Sequence, residues 1–107
     1  MKKLVFGMVC ALLLVTFAFA EPVTVEFWHA MGGGHGETLA EIVKLFNQQN
    51  ADMQINAVYI GNYNALQQKL LASVQSNTLP GLAQAYSNWT AKLLLSNIVQ
   101  DLTPMLN

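Results

Sequence analysis

The side chains able to handle a ligand gather at three places where an extended run gives way to a turn. His29 to His35 follows VTVEFWH, Ile60 to Tyr63 follows MQINAVYI, and Tyr86 to Trp89 follows LAQAY. These segments carry His29, a glycine cluster, Tyr63, Ser87 and Asn88, with Trp28 at their border. The set mixes stacking surface with neutral hydrogen-bond groups, which suits a small polar or polyhydroxylated solute better than bond breaking. Trp28, His29, Tyr63, Ser87 and Asn88 are therefore the candidate ligand-binding residues. For Trp28, as for Trp89, a place in the core is the first reading, because aromatic side chains bury large areas. Tyr63 is double-sided: it opens a helical stripe and also lies in a strand-end loop.

The glycine run Met31-Gly32-Gly33-Gly34-His35-Gly36 fails two specific tests. A P-loop ends in Gly-Lys-Ser/Thr, which supplies a cation to the phosphates, whereas Gly36 is followed by Glu37-Thr38. A dinucleotide fingerprint needs a third glycine where Glu37 stands, and an acid after the second strand where Asp52 stands before it. What remains is generic: free backbone N–H groups at a helix start can hold an anion or a sugar hydroxyl, and the same run also serves as a plain turn. His29 and His35 have no third partner at metal-ligand spacing. None of Ser73, Ser76, Ser87 and Ser96 sits in a GxSxG elbow. Neither a metal, nor a cofactor, nor catalysis is expected. Asn88-Trp89-Thr90 matches a glycosylation sequon but falls in an expected helix behind a bacterial-looking leader.

Periodicity supplies the elements that must position these groups. Val23 to His29 is β-branched and aromatic, as a strand requires. Leu39, Ile42, Val43 and Phe46 then recur at helical spacing, predicting a helix from about Gly36 to Gln49 with its apolar stripe inward. Glu37 and Glu41 would lie in its first turns and complement the helix dipole. Met53 to Ile60 predicts a second strand. Asn62 is placed to cap a second helix through Tyr63, Leu66, Leu70 and Val74. Leu82 to Tyr86 predicts a short third strand, and Ser87 or Asn88 is expected to cap a helix from Trp89 to Leu95. Ile98 to Asn107 reads as a loop or a short helix starting near Asp101. The order β-α-β-α-β-α predicts an α/β fold with a small parallel sheet and right-handed crossovers.

Residues 1 to 20 read as a cleavable secretory signal peptide. Lys2 and Lys3 precede the apolar stretch Leu4 to Phe19, and Ala18-Phe19-Ala20 has the small-x-small spacing of a cleavage site. The stretch falls short of the roughly 20 apolar residues that span a bilayer. The expected mature chain, 21–107, is one small domain, placed in the periplasm or outside the cell. The single cysteine, Cys10, lies inside the leader, which excludes disulfides and thiolate metal sites from residues 21–107. It also lacks the flanking residues of a lipoprotein signal. Beyond the leader, Lys44, Lys69 and Lys92 face six carboxylates, and the chain has no arginine. Nucleic acid is thereby excluded as a partner, since phosphate neutralisation needs clustered cations.

Three ordered segments carry a resemblance: Phe27-Trp28-His29-Ala30-Met31, Phe46-Asn47-Gln48-Gln49-Asn50 and Tyr59-Ile60-Gly61-Asn62-Tyr63, with Gln84-Ala85-Tyr86 further on. In order and spacing, Val23 to Leu106 resembles the extracellular solute-binding proteins of bacterial ABC sugar importers. The resemblance implies a two-lobed, cleft-closing fold of periplasmic binding protein type II, of which this chain would be part of the first, amino-terminal lobe. It implies a non-enzymatic protein that delivers a sugar or glycerol-3-phosphate-like solute to a membrane permease. The tyrosine of the GNY turn contacts ligand in that family and corresponds to Tyr63. A ligand-contacting glutamate after the third-strand tyrosine is replaced here by Ser87, which leaves a sugar or related polyol open beside glycerol-3-phosphate. Family members run to several hundred residues, so a truncated protein or a non-functional gene fragment is one expectation. A sheet of three strands would leave an edge unpaired and a helix face uncovered. Self-association as a homo-oligomer, or pairing with a separately encoded remainder, is the expected consequence. A secreted small α/β interaction module that rebuilds the missing surface from a second copy is the alternative.

Overall fold

The computed structural model describes residues 20–106; apart from Ala20, the expected signal peptide lies outside the described residues. The elements in order are β1 (Val23–His29), α1 (Gly33–Gln49), β2 (Met53–Tyr59), α2 (Tyr63–Ser76), β3 (Leu82–Ala83), α3 (Ser87–Leu95) and a 3-10 turn (Thr103–Met105). β1 is the middle strand of a parallel sheet ordered β2-β1-β3. It pairs along its whole length with β2, from Val23 opposite Met53 to His29 opposite Tyr59, and briefly with β3 through Phe27 and Trp28. A β-branched and aromatic run fits this central position, where helices cover both faces and β3 adds a second partner at Phe27 and Trp28.

The two crossovers run in opposite directions over this strand order, so right-handed connections put α1 on one face of the sheet and α2 on the other. Side chains alternate along β1 accordingly. Trp28 turns to the α2 side and joins Leu66, Leu70 and Trp89 in the core, flanked by Val58, Ile60, Tyr63 and Leu79. Lys69 of α2 holds its ammonium 4.5 Å from the centre of the Trp28 ring, and the indole N–H donates to the Glu26 carboxylate. On the other face, the rings of Phe27, His29 and Tyr59 lie tilted to one another at 5.6 and 5.8 Å between centroids.

One device ties α1 to the sheet. Asn47 accepts from the Ile55 N–H at 2.7 Å and donates to the Ile55 carbonyl at 3.0 Å, so its amide pairs with the outer edge of β2 as a neighbouring strand would. Gln54 answers by donating to the Asn47 and Asn50 carbonyls at 3.1 and 2.7 Å, which satisfies the open end of α1. The run FNQQN thus satisfies one helix end and the Ile55 position of the sheet edge at once.

Several boundaries differ from the sequence reading. α1 begins at Gly33, not near Gly36, because the Gly36 N–H already bonds to the Gly32 carbonyl at 3.3 Å. Only glycine fits at 36, where a Cβ would lie 2.7 Å from the Met31 carbonyl oxygen. The earlier start moves Glu37 and Glu41 inward, no acidic residue remains in the first turn, and the expected dipole pairing is lost. The apolar stripe of α1 is also less inward than expected: Ile42 stays 57 % exposed, and α1 has no fully buried residue. β2 stops one residue earlier than expected, at Tyr59, although the Ile60 N–H still bonds to the His29 carbonyl. β3 is two residues long, since the chain turns so that the Tyr86 carbonyl can accept from Trp89 and Thr90. Tyr86 therefore caps α3, in place of Ser87 or Asn88, which lie in its first turn without a side-chain cap. Asn62 caps α2 as expected, accepting from the Ala65 N–H at 2.9 Å. In the tail, Asp101 accepts from the Thr103 N–H at 2.9 Å ahead of the 3-10 turn. The Thr103 hydroxyl, and after it that N–H, hold the Asp101 carboxyl below its ordinary value.

Candidate functional site

Parallel strands place the starts of α1, α2 and α3 along one edge of the sheet, outside the carboxyl ends of the strands. Their positive dipole ends and unbonded N–H groups face that edge. Gln84, just beyond β3, is the node there. Its backbone N–H donates to the Trp28 carbonyl at 2.9 Å. Its side-chain oxygen accepts from the Ala30 N–H at 3.0 Å, and its side-chain nitrogen donates to the Tyr63 hydroxyl at 2.8 Å. The strand-end loops of β1 and β3 and the start of α2 are thus joined by one amide.

An aromatic group lies over this node. Tyr63 stacks on Tyr86 at 4.3 Å with the rings 26° apart, and the edge of Trp89 meets both, at 6.0 and 5.1 Å. Trp89 is buried, Tyr63 is half-buried, and Tyr86 is half exposed. The result is an exposed aromatic surface beside a phenolic hydroxyl with a fixed partner. A carbohydrate's C–H face packs on such a ring, and its hydroxyls find donors and acceptors around it.

The five candidate residues separate in space. Tyr63 sits in this cluster, and Ser87 and Asn88 are exposed beside it in the first turn of α3. Trp28 is buried beneath α2, with its backbone, not its ring, reaching the cluster through Gln84. His29 is 6 % exposed on the α1 side of the sheet, and its Nδ1 has no hydrogen-bond partner among the described residues. Gln84 and Tyr86 were missed as site residues. A single amide set between alanines in the apolar run LAQAY was the one signal pointing to the first.

A separate open groove of about 360 Å³ lies beside β3 and is lined mainly by aliphatic side chains, among them Leu79, Leu82, Leu93, Ile98 and Leu102. It shares no residue with the strand-end cluster.

Residues 41–107 match the family described as bacterial extracellular solute-binding protein. The chain belongs to that family. Its members bind solutes and do not transform them, so the extracellular solute-binding proteins are non-enzymatic and act outside the cytoplasm. Among similar proteins, the sn-glycerol-3-phosphate-binding periplasmic protein of Yersinia pestis is 35 % identical over 86 % of this chain. The protein of the same name from Salmonella paratyphi A is 32 % identical over 72 % of the chain. In structure, the maltose/maltodextrin-binding domain MalE from Bdellovibrio bacteriovorus, bound to maltotriose, superposes with a TM-score of 0.71 at 25 % identity over 79 % of this chain. The cyclic alpha-maltosyl-1,6-maltose binding protein from Arthrobacter globiformis gives 0.71 at 28 % identity over 78 %. The chain spans 21 % of the Yersinia relative, 18 % of the Salmonella one, 22 % of the Bdellovibrio structure and 21 % of the Arthrobacter one. The likeness to the two sugar-binding structures confirms the α/β arrangement with its three-stranded parallel sheet.

Proposed function

We propose that residues 21–107 form part of the amino-terminal lobe of an ABC importer's solute-binding protein, exported by a cleavable signal peptide at 1–20. The solute in this reading is a sugar or a glycerol-3-phosphate-like polyol, which a permease would receive once a second lobe closes over it. The observation that carries it is the Tyr63–Gln84–Tyr86 cluster at the carboxyl edge of the sheet, where open α/β folds bind ligands. Tyr86 supplies a stacking face, Tyr63 a hydroxyl, and Ser87 and Asn88 neutral groups at a helix start. Ser87 offers a small hydroxyl that accommodates a sugar or a phosphate without like-charge repulsion. The relatives named for glycerol-3-phosphate and for maltose-type sugars are why both solutes are carried as probes.

The test is an amide NMR titration of the purified chain with glycerol-3-phosphate and with maltotriose. Saturable shifts at Tyr63, Tyr86 and Ser87 for one probe are expected, weakened about tenfold or more in Tyr63→Ala, on the scale of a lost stacking ring and hydrogen bond. A spectrum that ignores both probes at millimolar concentration would overturn the reading.

A second reading, a small secreted module that self-associates, is favoured by one observation. Ile42 and Leu45 on α1, and Leu94 and Leu95 on α3, are exposed apolar side chains that a partner would cover.

A further inference from the structure

Hydrogen-bond direction in the strand-end cluster can be assigned from chemistry alone. The Ala30 backbone N–H can only donate, so the Gln84 atom 3.0 Å from it must be the carbonyl oxygen. The amide is thereby locked against a flip, and the atom 2.8 Å from the Tyr63 hydroxyl must be the NH2 group. An amide NH2 only donates, so the Tyr63 oxygen accepts. The phenolic hydrogen is then left for another acceptor, and none of the hydrogen bonds among the described residues uses it.

We infer that Gln84 is a positioning residue that turns Tyr63 into an obligatory hydrogen-bond donor toward the strand-end edge, so that the solute group meeting Tyr63 is an acceptor oxygen. Gln84 touches no solute itself in this scheme; it acts through the tyrosine. The inference deepens the solute-binding reading and rests on it for the identity of the acceptor. It fits a phosphate oxygen, or a sugar ring or hydroxyl oxygen, and disfavours an ammonium or amide N–H at that point. Ala30 is the anchor. Its N–H belongs to the main chain, so a side-chain change at 30 leaves the lock in place.

The test reverses the lock. In Gln84→Glu, the ionised carboxylate accepts only, so it takes hydrogen bonds from both the Ala30 N–H and the Tyr63 O–H and draws the phenolic proton inward. Protonation of that carboxyl, near its ordinary value of about 4.3, gives back a donor. The readout is the Tyr63 13Cζ resonance, which responds to whether the phenol donates or accepts. It is followed from pH 3.5 to 7.5 in both proteins, the unsubstituted chain serving as the reference. A Tyr63 signal that titrates with the introduced carboxyl in Gln84→Glu, and not in the unsubstituted chain, is expected. Glycerol-3-phosphate or maltotriose, whichever binds the unsubstituted chain, should bind Gln84→Glu about fivefold more weakly at pH 7, the worth of one hydrogen bond, and recover as pH falls. A simple packing role for Gln84 would produce no such recovery.

A Tyr63 resonance unchanged by Gln84→Glu at every pH, in a protein whose amide spectrum stays dispersed, would overturn the inference. Should Gln84→Glu not fold, the unsubstituted chain still decides the matter. Slowed solvent exchange of the Gln84 side-chain NH2 and its NOE to the Tyr63 ring are required, and their absence is equally fatal. The 13Cζ response needs no solute, so failure of both probes alongside a titrating Tyr63 would remove the solute reading and leave the proton's direction standing.

Discussion

Leu66 has no exposed surface, and among the described residues the buried apolar core it joins holds Trp28, Leu70 and Trp89. In so small a core each side chain carries a large share of the burial. Leu66→Ala removes three buried carbons and leaves a cavity walled by rigid indoles, at a cost of about 2–5 kcal/mol. That approaches the whole stability of a small domain, so the expected outcome in urea denaturation is a transition shifted to low denaturant or lost altogether. An unchanged midpoint would mean that the core sits elsewhere. Leu66 and its helical partners were readable in the sequence because burial on α2 follows a local period. Gln84 was not, because its meaning depends on Ala30, 54 residues away, and on Tyr63, 21 residues away. Trp28 was legible too: an aromatic side chain within a strand reads first as core, and alternation along β1 turns the ring under α2, between Lys69 and Glu26.

At the scale of elements, the alternation of strands and helices was legible because each carries its own period, whereas boundaries depended on partners. β3 is short because the chain turns for the Tyr86 carbonyl to accept from Trp89 and Thr90, and α1 starts early because glycines tolerate its first turn. The FNQQN run was visible as a pattern, yet its role became legible only once Asn47 was seen to lie against Ile55. That bidentate clamp occupies the Ile55 N–H and C=O, which would otherwise stand open on the sheet edge. Asn47→Leu keeps the side chain's approximate volume and removes both bonds, leaving the Ile55 N–H and C=O to find water. A loss of about 2 kcal/mol is expected from two hydrogen bonds of ordinary worth. Hydrogen exchange distinguishes the clamp from a general effect. The Ile55 amide should lose its protection first in Asn47→Leu, ahead of amides of β1 facing β3, and equal loss everywhere would argue that Asn47 contributes only to global stability.

For the molecule as a whole, the core lies on one side. α2 and α3 cover the sheet face that holds Trp28, whereas α1 leaves Ile42 and Leu45 open, the end of α3 leaves Leu95 90 % exposed, and an aliphatic groove lies open at β3. Apolar side chains left open on both sides of so small a molecule are surface that association can cover. Covering one leucine is worth about 1.5–3 kcal/mol, so a few such side chains buried between two molecules begin to offset the entropy of association. The purified chain should therefore show a weight-average mass in sedimentation that rises with concentration across the micromolar range. Leu95 and Leu94 make no contribution to the buried core, which allows the surface to be changed without touching the fold. Leu94→Gln with Leu95→Glu should shift the association to at least tenfold higher concentration while the circular dichroism spectrum is preserved. A chain that stays monomeric at every concentration would remove self-association as a reading and leave the exposed faces to a second lobe. The strand-end cluster stands apart from these surfaces, since none of its residues lines the groove. Solute contact and apolar coverage are therefore separable, and the double substitution should leave any shift produced at Tyr63 by glycerol-3-phosphate or maltotriose unchanged.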